Sequence, residues 1–320
     1  MEAGVARRGL ALACYQVADF LEARIHCERA LEICDVACDR ETQKRFHDAT
    51  GPVVLSVLAV TMWQLGEVDR ARELIDQANR RGSELGGGPS MGHPLWWKSH
   101  IEILRGDAAA ALIAAEALER LGREHGLPFW RALGELDAGW ARGRLHDAAV
   151  RPEDLRRTLA AYTDQHAKFD AWFLTGLLAE LEAETLGAES ALARIDEAMA
   201  LARQVEARCN LPFLHLLRGK FLLERDPSNP APAEKAFQTA VEIAKQQGAR
   251  SWGLRAALSL AKLYQSTARP ADAHAVLALA LEGFSPTAEM PEIAEAQAVL
   301  AALAETDEVK SAQAARQRRQ

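Results

Sequence analysis

The chain has 320 residues, a formal net charge of −7 and 49% hydrophobic residues. A mildly acidic chain of this kind has no general attraction for nucleic acid or anionic lipid, so neither is expected as a partner. No stretch approaches roughly 18 unbroken apolar residues, so no transmembrane helix is expected, and no membrane partner.

The apolar residues favour helices. Only 3 Tyr and 9 Phe are present, whereas Ala is abundant; Ala is the best helix former and a poor strand former. The N-terminal run has two arginines and a short apolar stretch broken by Gln16 and Asp19, so it lacks a signal-peptide core. The 5 cysteines are odd in number and lack framework spacing, the pattern of reduced thiols in a cytoplasmic protein.

From the N-terminus, the first recurring element pairs Leu10, Ala11 and Cys14 with a following stripe Ala23, Cys27, Ala30, with Phe20 in the turn before it. The second pairs Leu58, Ala59 and Met62 with Ala71, Ile75, Ala78, across a turn at Gly66. Spacings of four and three place such residues on one helical stripe, and small side chains there let the helices of a hairpin approach closely. The stripe returns as Ala111, Ala115, Leu118; as Leu155, Leu159, Tyr162; as Ala191, Ile195, Ala198; as Ala233, Phe237, Ala240; and as Ala273, Leu277, Ala280. The starts lie about 36 to 48 residues apart, in the range of helical-hairpin repeats.

Gly- and Pro-bearing segments at 82–94, 124–128, 224–232 and 282–291 stop helices between these units. A last helix over about 292–303 is expected to cap the array. The fold class is therefore all-α: a right-handed α-solenoid of about seven tetratricopeptide-like (TPR-like) hairpins plus a capping helix over residues 1–304. A polar tail follows over 305–320, with a solvated cluster at Arg316, Arg318 and Arg319.

Over residues 205–284 the pattern sharpens. The runs LPFLHLLRGKFLLE, AEKAFQTAVEIAKQQGARSWGLRAALSLAKLY and ADAHAVLALALEGF resemble the C-terminal TPR region of large bacterial proteins that carry a class III adenylate/guanylate cyclase domain and a STAND-type P-loop ATPase domain. Earlier stretches, ALACYQVADFLEARIHCERAL and VLSVLAVTMWQLGEVDRARELIDQA among them, match more loosely. The resemblance implies a sensory or partner-binding module that controls effector domains. The chain enters directly at its repeats, so a truncated or standalone derivative is expected. The helix beginning LWWKSHIEIL looks shortened relative to that family, with Lys98 and Glu102 near places usually apolar, and 144–154 lengthens one hairpin.

Residues with chemistry are few. Gly86, Gly87 and Gly88 are followed by Pro89 and Ser90 rather than by a Lys that would hold phosphate, so a loop is expected there. His26, Cys27, Cys34, Cys38 and His47 lie within a short span. Cys34 and Cys38, four apart and expected to share a helix face, are with His47 the candidate zinc ligands, although structural zinc sites use tighter pairs. No HExxH and no nucleophile signature is present, so neither catalysis nor a cofactor is expected.

Trp96 and Trp97 point about 100° apart on a helix. One of them is expected to be partly exposed, and with His100 the pair is the candidate partner contact. Lys262 is the candidate cation of a concave groove lined by the first helix of each hairpin. The expected function is a protein-interaction scaffold or regulatory module. Its partner would be a protein or peptide, or cyclase/ATPase effector domains, in that groove. The alternatives are a small-molecule sensor and a metal- or thiol-dependent enzyme.

Overall fold

A computed structural model describes residues 1–46, 48–165 and 170–317, with 165 and 306–317 as backbone alone. Seven hairpins follow one another: α1 (Glu2–Gln16) with α2 (Phe20–Ile33), α4 (Thr50–Gln64) with α5 (Val68–Glu84), α6 (Gly92–Arg105) with α7 (Ala108–Glu124), and α8 (Pro128–Arg144) with α9 (Pro152–Gln165). The array continues through α10 (Ala171–Leu186) with α11 (Ala188–Gln204), α12 (Leu211–Arg225) with α13 (Ala231–Gln247), and α14 (Arg250–Ser266) with α15 (Pro270–Leu281). It ends on α16 (Glu292–Gln317), which runs well beyond the expected 303. Arg318 and Arg319 lie outside the described residues, and Arg316 is described as backbone alone. Among the described residues every regular element is helical, and the chain is an α-solenoid of helical hairpins. No described helix is long and apolar enough to cross a membrane.

The small-residue stripes are the hairpin seams. Ala23, Cys27 and Ala30 are fully buried, as are Ala71, Ile75 and Ala78, and Ala191, Ile195 and Ala198. Where α7 meets α8 the approach is closest: a Cβ on Gly134 would lie 2.4 Å from the backbone nitrogen of Glu119, so only glycine fits.

The turns repeat as well. Glu67 N–H donates to Met62 O at 2.9 Å, Asp107 to Glu102 O at 3.0 Å, Ala249 to Ala244 O at 2.8 Å and Arg269 to Tyr264 O at 2.8 Å. This bond, reaching back five residues, closes a helix end through one left-handed residue. Gly66, Gly106 and Gly248 take that place without strain, whereas Ala18, His146, Glu206 and Ala268 take it as non-glycines.

One helix was not legible in the sequence. α3 (Val36–Phe46) lies between the first two hairpins and caps α4. The buried Asp39 carboxylate accepts from Gly51 N–H at 2.6 Å and from Arg81 Nε at 2.6 Å, and Thr42 Oγ1 accepts from Thr50 N–H at 3.2 Å. Free N–H groups at a helix start need such acceptors, which a helix otherwise draws from its own N-cap.

The array curls until its two ends meet. Gln16 O accepts from Arg208 N–H at 2.7 Å and from Cys209 N–H at 3.2 Å. Gln64 Nε2 donates to Asn210 Oδ1 at 2.7 Å, and Ser251 Oγ donates to Trp63 O at 2.5 Å. α1 and α4 thus lie against α12, α14 and the turn before α12, and the solenoid is a closed cup. The segment joining α15 to α16 straps the seam from outside: Phe284 packs on Gly66, Thr287 donates to Asp69, and Glu289 reaches Arg105 at 2.8 Å.

Candidate functional site

The first helices of the hairpins face the inside of the cup. In α8, α10, α12 and α14 the third residue is aromatic: Trp130, Phe173, Phe213 and Trp252. These rings, with those of α4 and α6, form a belt. Phe173 lies 5.5 Å from Phe213, Phe213 5.2 Å from Trp252, and Trp252 5.1 Å from Trp63, centroid to centroid. On the other side His100 stacks 4.4 Å from Phe173 and 5.3 Å from Trp97. Offset and edge-to-face pairs at these separations are favourable beyond the area they bury. The belt is an aromatic floor.

Trp96, Trp97 and His100 belong to this floor. Their exposures are 5%, 1% and 3%, which corrects the expectation that one tryptophan is partly exposed. The two rings do diverge, but α6 is enclosed on both sides. Trp97 meets Tyr15 of α1 edge-on at 5.7 Å, and Trp96 meets Trp130 of α8 at 6.4 Å. None of the three can meet a partner in the closed cup. Burial pushes the His100 imidazole down to about 3, so it is neutral, and its Nε2 has no hydrogen-bond partner among the described residues.

Above the floor is a cavity of about 320 Å³. Phe173, Phe213 and Trp252 form its base, Leu177, Leu217 and Leu258 its walls, and Trp140 flanks it higher up beside Glu180. About two to three helical turns further along these inner helices the lining becomes polar: Glu180 on α10, Lys220 on α12, and Ser259 and Lys262 on α14. Lys262, the sequence candidate, is therefore on the cup's rim, where its Nζ lies 2.5 Å from Glu295 of α16. Arg255 sits lower, 5.3 Å over the rings of both Trp63 and Trp252, and pairs with Glu292 at 2.8 Å. Glu180 accepts from Trp140 Nε1 at 3.0 Å. Lys220 has no carboxylate within ion-pair distance among the described residues.

The other polar residues of the inner helices serve structure. Glu102, the charge expected to sit where an apolar residue is usual, is fully buried between Arg72 and Arg105. Glu182 is fully buried between Arg156 at 2.7 Å and Arg194 at 3.1 Å. Lys98, noted beside Glu102 in the shortened helix, pairs with Asp76 at 3.1 Å. Asp137 is also buried, and desolvation pushes its carboxyl up to about 7; Asp170 is raised by burial first and by Asp137 second.

Cys34 and Cys38 do not share a helix face as expected. Cys34 ends α2 in an extended conformation and Cys38 starts the first turns of α3, yet the corner between the helices brings their sulfurs to 3.0 Å. His47 lies outside the described residues. Among the described residues no group of three or more His, Cys, Asp or Glu side chains is placed to hold a metal ion. Burial, with Cys38 second, pushes the Cys34 thiol up to about 12.

Neither protein-family models nor curated proteins match this chain.

Aromatic residues at equivalent places of four inner helices were present in the sequence as a third-residue pattern. The small-residue stripes of the second helices carry a helical period, whereas one aromatic per helix carries none.

Proposed function

We propose that this chain is a regulatory binding module of the TPR type, which takes part of a partner protein into its cup and works in a bacterial signalling protein of the cyclase and STAND-ATPase kind. The observation that carries the reading is the cup itself: an aromatic floor, leucine walls and a rim of opposed charges, all supplied by the first helices of successive hairpins and by α16. Stacked helical repeats use such concave faces to bind. An apolar cavity with a few convergent polar groups is the form a binding site takes.

A second reading, a small-molecule sensor, draws support from the closed seam. Gln64 and Asn210 shut the array into a cup about 320 Å³ in volume, where an open TPR groove would admit a long peptide.

The test is photo-crosslinking in the source cell. A benzophenone amino acid replaces Ser259 inside the cup, or Glu242 on the exposed face of α13 as control. The expected result is one protein captured from position 259 and not from 242. The same capture from both positions, or none from 259, sinks the partner-protein reading.

A further inference from the structure

We infer that the cup takes a small amphipathic acid: an apolar, ring-bearing body seated on the aromatic floor, with a single carboxylate held at the rim by Lys220 and Lys262. The inference rests on the reading of the cup as the binding site and adds the chemistry of the occupant.

The depth profile sets the shape of the ligand. Phe173, Phe213 and Trp252 are buried at the base, and Leu177 and Leu217 stand one turn above them. A flat ring placed there gains offset or edge-on contacts of the same kind that already join the belt. Nothing at the base offers a free charge, because the Arg255 guanidinium is committed to Glu292 and to two indole faces. The polar end of the ligand must therefore point outward.

The rim sets the sign of that end. The lining carries four cations against three carboxylates. Glu292 and Glu295 are each neutralised by a partner across the cup, Arg255 and Lys262. Arg144 pairs with Glu184 at 2.6 Å, outside the cavity. Lys220 alone among the lining cations has no carboxylate partner within the described residues, and it projects from α12 between α10 and α14. An incoming carboxylate satisfies it. It also competes with Glu295 for Lys262, since that pair is half exposed and hence weak. An incoming ammonium group meets Lys220, whose nearest electrostatic carboxylate neighbour, Glu224, lies on its own helix and outside the lining, so within the cavity Glu180 is the carboxylate not already paired with a cation.

The experiment compares one apolar body with two heads. Titration calorimetry measures 4-phenylbutyrate and 4-phenylbutylamine binding to the intact chain, to Lys220→Glu and to Ser259→Trp. Both positions border solvent, and circular dichroism checks that the variants keep their helix content. The acid is expected to bind one per chain, at least about tenfold tighter than the amine, and to weaken at least about tenfold in each variant. Salt is expected to weaken the acid and not the amine. The inference is overturned if neither compound binds, if the amine binds as well as the acid, or if the acid is indifferent to both variants. If the acid fails while the residue-259 crosslink still captures a protein, this inference falls and the partner-binding reading stands. If the acid binds and the crosslink captures nothing, the partner-protein reading falls and the sensor reading takes its place.

Discussion

The side-chain amide of Gln64 donates to Asn210 Oδ1 at 2.7 Å, across 146 positions of sequence. The same oxygen accepts from Trp252 Nε1 at 3.1 Å, so one buried carbonyl joins α4, the start of α12 and α14. It is the keystone of the closed cup. Asn210→Leu leaves two buried donors without an acceptor, at a cost of about 2–4 kcal/mol. Urea unfolding followed by tryptophan fluorescence measures this, and a loss below about 0.5 kcal/mol would mean the seam is not closed in solution.

Glu182→Gln tests the buried ion pairs. It takes the charge partner from Arg156 and leaves Arg194 with Glu197 alone, both arginines being partly buried, and is expected to cost about 2 kcal/mol or more in the same assay. Arg151→Ala is the control. Its pair with Asp154 is exposed, and its loss is expected to stay within about 0.5 kcal/mol. Equal costs for the two would show that burial does not set the strength of these pairs.

Asp137 gives the protein a pH dependence of definite sign. Its folded carboxyl titrates near 7 because burial disfavours the charge, whereas an unfolded aspartate titrates near 3.9. Between those values the folded state holds a proton that the unfolded state has lost. This contribution to stability is thus complete below about pH 4 and is lost as pH rises through 7. Asp137→Asn removes that loss. The variant's advantage over the parent in thermal melts should grow from pH 4 to 7 and then level off; a difference that does not vary with pH would refute the assignment.

Glu206 takes a positive φ of 54° in an exposed turn. Glycine adopts that conformation without the Cβ clash, so Glu206→Gly is expected to raise stability by about 0.5–1 kcal/mol. Thermal melts check it. The same substitution at Glu242, inside α13, should lower stability by a similar amount.

Cys34 and Cys38 have sulfurs 3.0 Å apart, with Cys38 partly exposed and Cys34 buried. One equivalent of hydrogen peroxide per chain should convert the two thiols to a disulfide and release water. Intact-mass analysis should then show the loss of two hydrogens, which Cys38→Ser abolishes. Oxidation that goes first to Cys14, the other partly exposed cysteine, would contradict the geometry.

The sequence by itself determined the hairpins. Stripes such as Ala71, Ile75, Ala78 and Ala233, Phe237, Ala240 encode contacts between helices adjacent in the chain, and local periodicity is enough to read them. It also placed Lys262 on an inner helix. What it did not determine was how far the array curls. Curvature accumulates from a small rotation at each hairpin, and no single stripe carries that sum. Only the tertiary structure decided that Gln16 and Gln64 meet the segment around Asn210, and that α6, set between α4 and α8, also brings its rings against Tyr15 of α1 and Phe173 of α10. That is why Trp96 and Trp97, which diverge on their helix, are both buried. α3 was not legible for a different reason: it is held by Asp39, Thr42 and Arg81 rather than by an apolar stripe, and a buried polar anchor has no period.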